Sequence, residues 1–177
     1  MFVEKKAPNI EYCDSEWLAI VREQEEKLRF DSFTKTDARK LGNLICEKAE
    51  KDYPDGVSVK IILAGITVFF HMMEGTGTKN DWYMGCKYHT FLKTGKSSLL
   101  SLLERTFETK AFEDWCNDAN DYILCGGEFP IRNKQGELLG CVIVSNLTHE
   151  KDHQLIVDSM SEYLGTQVSR VELKGTK

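Results

Sequence analysis

A chain of 177 residues has room for one ordinary core but not for two. Hydrophobic residues make up 41 % of it, too many for a disordered chain and too few for a membrane protein. With 23 Lys+Arg against 28 Asp+Glu the net charge is −5, and no basic footprint marks nucleic acid as a partner.

Residues 1–13 read as a loose leader and residues 14–177 as a single domain. The leader lacks the apolar core of a secretory signal. The longest apolar stretches, such as residues 61–70, fall well short of the roughly 20 residues a membrane span needs. The expectation is a cytoplasmic protein without a membrane-inserted segment. Cys13, Cys46, Cys86, Cys116, Cys125 and Cys141 form no C-x-x-C pair and read as reduced, mostly buried thiols. The glycosylation sequon at Asn146-Leu147-Thr148 has no role in such a compartment.

Asp14 or Ser15 is placed to cap a first helix, in which Trp17, Ile20, Val21 and Leu28 recur at the spacing of one buried stripe. A second helix starts at Thr36 with Ala38, Leu41, Leu44, Ile45 and Ala49 inward, and Tyr53-Pro54-Asp55-Gly56 ends it. Two β-rich runs, 58–63 and 66–73, are separated only by Ala64-Gly65, which predicts a hairpin. After a glycine-rich loop at 75–78, residues 80–115 read as helical. Ser97 or Ser98 caps a short helix there that carries Leu99, Leu100, Leu102 and Leu103. Residues 129–132 and 138–145 flank the turn Asn133-Lys134-Gln135-Gly136. The second of these runs is almost wholly apolar, which predicts a central strand covered on both faces. A last helix spans 149–164, with Leu155, Ile156, Ser159, Met160 and Tyr163 on one face. Two hairpins set among helices predict an α+β domain, an antiparallel sheet flanked by helices.

Three short motifs carry chemistry in principle. His149-Glu150-Lys151-Asp152-His153 fits the zinc-protease pattern H-E-x-x-H, but the plausible downstream acid for a third ligand is Glu172, five residues from the end of the sequence. A helix-capping or oligomer-contact role outweighs the zinc reading. Thr94-Gly95-Lys96-Ser97-Ser98 resembles the end of a phosphate-binding loop. Thr90 stands where that loop needs its first glycine, so a helix break with a serine cap is the better reading. Cys125-Gly126-Gly127 precedes a strand, where paired glycines mark a tight turn or a close backbone approach, including approach to a ligand.

These pieces form an ordered set. Asn80-Asp81, Lys87, Gly95-Lys96-Ser97-Ser98, residues 126–131, residues 140–145 and Asp152-His153 follow one another at characteristic intervals. The set resembles an uncharacterised family related to the HbpS/GlcG group, often labelled haem-degrading domain, over roughly residues 36–164. Four positions depart from that pattern. Tyr83 stands where the family has Trp, Lys96 replaces a His, Asn146 replaces a Gly, and Lys151 stands where many members carry an Asp. The resemblance implies a profilin-like (GlcG-like) single domain assembled into a symmetric homo-oligomer, with haem as a cofactor to consider. A lysine at pH 7 is a protonated cation and a poor ligand for iron, which leaves His153 as the best single ligand candidate. Asp152 and His153 also suit a purely structural role at a helix start.

Three functions follow. The first is a non-catalytic oligomeric binding protein whose ligand sits near Asn80, Asp81, Lys87, Lys96, Ser97, Ser98, Gly126 and Gly127. Lysines, hydroxyls and backbone N–H groups together suit a carboxylate, a propionate or a phosphate. The second is a protein–protein adaptor, which the resemblance links through fungal relatives to the handling of tail-anchored membrane proteins. Its test surface is the acidic first helix with Glu16, Glu23, Glu25 and Glu26. The third is an enzyme, using zinc at His149 and His153 or the Cys125 thiol. Aromatics at 82–83 and 88–91 are expected to be exposed, at an interface or a pocket.

Overall fold

In the computed structural model, residues 13–108, 118 and 120–172 are described. The order is α1 (Trp17–Lys27), α2 (Lys35–Asp52), β1 (Ser58–Leu63), β2 (Ile66–Met72), α3 (Thr78–Thr94), α4 (Ser98–Phe107), β3 (Glu128–Arg132), β4 (Leu138–Ser145) and α5 (His149–Leu164). The strands form one antiparallel sheet in the order β2-β1-β4-β3.

Local chemistry sets the boundaries. Thr34 accepts from the Asp37 backbone N–H, and Asp37 accepts in turn from the Thr34 N–H, a reciprocal cap that starts α2 one residue earlier than expected. α1 has no side-chain cap; Asp14 instead accepts from the backbone N–H of Glu16 in the preceding turn. Gly95, with φ 62°, ends α3 in the left-handed conformation. Two residues later Ser97 caps α4 by accepting from the Leu100 N–H. The helical run read over 80–115 is thus two helices up to Phe107; its last residues, and Cys116, lie outside the described residues.

α2 and α5 cover one face of the sheet. Alternate strand residues Val57, Val59 and Ile61, Phe129 and Ile131, and Val142 and Val144 meet Leu41, Ile45, Ile156 and Met160 there. On the opposite face α3 lays Met84 and Phe91 on Ile62, Cys141 and Ile143. β4 is central and buried from Gly140 onward, because helices lie over both of its faces. Phe91, expected on the surface, is a core residue only 4 % exposed, stacked beside Tyr88, because position 91 of α3 faces the sheet. All four leucines of α4 are buried, since α1 closes over its outer side through Trp17 and Val21.

Candidate functional site

The residues picked from the sequence fall into two places. The first is a cleft of about 320 Å³ between the start of α3, the end of β4 and the start of α5. Its walls include Lys79, Asn80, Tyr83, Lys87, Cys125, Gly126, Asn146, His149 and Asp152. The second is the α3–α4 link, which holds Lys96, Ser97 and Ser98.

At the cleft, most polar groups are already matched to protein partners. Asn80 accepts from the Gly77 N–H (3.0 Å) and donates to Asn146 Oδ1 (3.0 Å). Asn146, with φ 128°, donates onward to the carbonyls of Asp55 and Gly56. The two amides therefore lock α3, β4 and the turn before β1 together. Asp81 is turned away from the cleft and pairs with Lys60 at 2.9 Å.

Beneath the cleft floor, Lys87 Nζ donates to Asp152 Oδ2 (2.8 Å) and to the Val144 carbonyl (2.7 Å), with both side chains buried. Asp152 Oδ1 accepts from the Leu147 N–H at 3.1 Å, so the pair fixes the approach to α5. Asp152 holds the Lys87 ammonium charged despite its burial. Burial outweighs that lysine on the carboxyl itself and moves Asp152 up to about 6. Gly126 and Gly127 make room for this arrangement. A Cβ on Gly126 would lie 2.1 Å from the His149 carbonyl oxygen, and one on Gly127 would lie 2.3 Å from Lys87 Nζ. Close backbone approach is the reason for the paired glycines, and the neighbour is the protein itself.

At the α3–α4 link, Lys96 pairs with Glu104 at 2.7 Å, and Arg22 reaches the same carboxylate at 3.1 Å. The Ser97 N–H donates to Glu25 (2.7 Å), and Ser98 Oγ accepts from the Glu128 N–H (3.1 Å). This group stitches α1, α4 and β3 together and does not line the cleft.

The two histidines of the H-E-x-x-H match behave differently. His153 is fully buried behind the cleft, with Nε2 at 2.8 Å from Gln24 Oε1 and its ring beside Phe129. Burial depresses it to about 3. His149 lines the cleft, neither ring nitrogen has a hydrogen-bond partner among the described residues, and burial keeps it neutral. No group of three or more His, Cys, Asp or Glu arranged to hold a metal ion occurs among the described residues. Cys125 lies in the same wall, but burial pushes its thiol up to about 11, away from the thiolate form.

Sequence reasoning missed Glu128. It starts β3 on the α3 side of the sheet, is fully buried, and neither carboxylate oxygen has a hydrogen-bond partner among the described residues. Burial and the neighbouring Glu25 raise it well above the usual range, which favours the protonated form. The one available signal was a carboxylate directly before the apolar Phe129-Pro130-Ile131 run.

The architecture is that of an α+β domain in which helices sandwich a four-stranded antiparallel sheet and a small cleft opens at one end. More particularly, the chain belongs to the HbpS-like family: the model of the haem degrading protein HbpS-like family matches residues 33–161. A UPF0303 protein of Brucella melitensis biotype 1 is 35 % identical over 147 residues, 82 % of this chain and 86 % of that one. Among solved structures, the Ybr137w protein shares the fold with a TM-score of 0.74 at 24 % identity, covering 84 % of this chain and 87 % of its own. The PduOC:Heme complex does so with a TM-score of 0.62 at 17 % identity, covering 80 % and 99 %.

Proposed function

We propose that this chain is a non-catalytic, oligomeric binding protein whose cleft takes a small anionic ligand, with haem the first to test. The observation that carries the reading is the neutral imidazole of His149 in the cleft wall, with no hydrogen-bond partner on either ring nitrogen and Glu150 3.8 Å from Nε2. A neutral imidazole is the donor haem iron takes in many proteins. Lys79 lies in the same wall and would face a carboxylate or propionate. Haem bound there would supply an iron centre, while the chain's own part is to present His149, hold the wall rigid through Lys87–Asp152 and offer Lys79. His153, whose Nε2 faces Gln24, is the weaker ligand of the two.

The cleft is at the lower end of the roughly 300–1,000 Å³ of small-molecule pockets, so one chain would enclose only part of a porphyrin. A second copy completing the enclosure fits the homo-oligomer reading. The exposed Ile66, Phe70, Trp82 and Leu92 offer surface for such assembly, or for the protein partner of an adaptor. A neutral Cys125 thiol supports binding over thiol catalysis. No helix among the described residues is long and apolar enough to cross a membrane. Among the described residues Cys13, Cys46, Cys86, Cys125 and Cys141 are free thiols.

Titration with haem tests the reading. The wild type should give a saturable absorption band that His149→Ala abolishes and His153→Gln retains. An unshifted haem spectrum removes haem, and no thermal stabilisation by haem, propionate or phosphate removes the small-anion reading altogether.

A further inference from the structure

β2 is an outer strand of the sheet: β1 pairs with one of its edges, and no strand pairs with the other among the described residues. Proteins that stay monomeric guard such edges with charge, proline, bulges or a covering element, and of these β2 carries only a bulge. Ile66-Thr67-Val68-Phe69-Phe70-His71-Met72 contains no proline, lysine or carboxylate, and its one irregularity is a bulge opposite Ile61 and Ile62. Ile66 and Phe70 are 59 % and 47 % exposed. Along this edge α2 and β2 border a groove of about 330 Å³, lined by Asn43, Glu47, Glu50, Phe69 and His71 among others.

We propose that this edge is an interface between two copies of the chain, with β2 pairing antiparallel to its counterpart about a two-fold axis near Phe69. The inference rests on the homo-oligomer reading and assigns it a surface. α2 packs on β1 and β2 alike, so its axis lies about half a strand spacing inside the edge. Paired strands are about 4.8 Å apart. Pairing would therefore bring the two α2 helices to about 10 Å, the ordinary distance between packed helices. The two-fold axis makes them antiparallel.

Charge then decides the occupant. Arg39, Asn43, Glu47 and Glu50 form one exposed stripe of α2 at helical spacing. Gly42 is set directly on the Phe69 ring, where a Cβ would lie 2.5 Å from Cδ1, so Asn43 is level with the axis. Rotation about that point puts Arg39 of one copy, four residues before Asn43, against Glu47 of the other, four residues after it. The contact occurs twice. Arg39, Glu47 and Glu50 form no ion pair among the described residues, so their charges are available. A foreign strand would find the same open backbone beside an acidic wall; a second copy of this chain brings the matching arginine.

Sedimentation velocity on the full chain tests this with the wild type, Arg39→Glu and the charge exchange Arg39→Glu/Glu47→Arg. The wild type should be an assembly with an even number of copies. Arg39→Glu should weaken the pairing at least about tenfold, and the exchange should restore it to within about threefold of wild type. Unchanged far-ultraviolet circular dichroism confirms that both variants fold. A monomeric wild type overturns the oligomer reading and this interface with it. An oligomer that Arg39→Glu leaves intact, or a loss that the exchange fails to recover, overturns the interface alone.

Discussion

Gly127 stands where any side chain would displace Lys87 from Asp152. Its φ is +112°, and an added Cβ would lie 2.3 Å from Lys87 Nζ, 2.6 Å from the Val144 carbonyl oxygen and 2.8 Å from Asp152 Cβ. Backbone and buried ion pair are thus one device, and the weakest exchange at Gly127 strains both. Gly127→Ala should lower stability by roughly 3 kcal/mol or more, the scale of backbone strain added to a broken buried pair. Urea unfolding measures it; a loss under about 1 kcal/mol would show that the floor of the cleft is softer than described.

Lys87→Met removes the ammonium that pairs with the buried Asp152 carboxylate. Leaving Asp152 unpaired should cost about 3–5 kcal/mol at neutral pH. The loss should also depend on pH. Asp152 already sits at about 6, above its unfolded value of 3.8, and losing Lys87 moves it higher. A carboxyl whose folded value is raised binds its proton preferentially in the folded state, so stability falls as pH rises through that window. The variant should therefore lose less at pH 5 than at pH 8. Lys87→Met/Asp152→Asn should recover part of the loss, because the asparagine oxygen still accepts from the Leu147 N–H. Equal losses at both pH values would contradict the buried, unpaired carboxylate.

Much of this was readable in the residues, and the exceptions have physical causes. The hairpin at Ala64-Gly65, the central β4 and the limits of α5 follow from alternation, turn residues and helical spacing, all of which are local signals. Phe91 and Glu128 were misplaced or missed because their burial depends on which layer α3 and α4 cover, a tertiary fact. The site was legible as a set of residue types and not as a grouping. Lys87 and Lys96 look alike on the page, yet one is neutralised by Asp152 under the cleft and the other by Glu104 at a helix junction. His149 and His153 are one helical turn apart, and only the lining of the cleft separates an unpartnered ring from one set against Gln24.

His153 should give the fold an acid-sensitive step. Burial holds it at about 3 in the folded chain, against 6.5 when unfolded. With the folded value depressed, the unfolded state takes up the proton first. Stability is then full above pH 6.5 and declines as pH falls toward 3, by up to about 1.4 kcal/mol per pH unit. Asp152 acts in the opposite sense between 6 and 3.8, so the wild-type profile should flatten below pH 6. Replacing both buried partners, His153→Leu with Gln24→Leu, removes the histidine contribution and leaves that of Asp152. Subtracting the variant's urea-unfolding profile from the wild type's should recover a slope between pH 6.5 and 4. A flat difference would mean that the ring titrates normally in the folded protein.

The hairpin between β1 and β2 carries a residue that its turn does not favour. Ala64 has φ 48° and Gly65 φ 78°, the two positive angles of a two-residue type I′ turn. Glycine holds the second position without strain, but alanine in the left-handed region costs roughly 1–2 kcal/mol. Asparagine adopts that conformation far more readily, and Asn-Gly is the preferred pair for this turn. The Ala64 N–H donates to the Leu139 carbonyl at 3.0 Å, a backbone bond the exchange keeps. Ala64→Asn should therefore stabilise the chain by about 1 kcal/mol and raise its melting temperature by roughly 2–4 °C. The turn lies outside the cleft wall, so ligand titrations should be unaffected. A melting temperature that stays level or falls would place the strain elsewhere in the hairpin, with the bulge between Ile61 and Ile62 the next position to relieve.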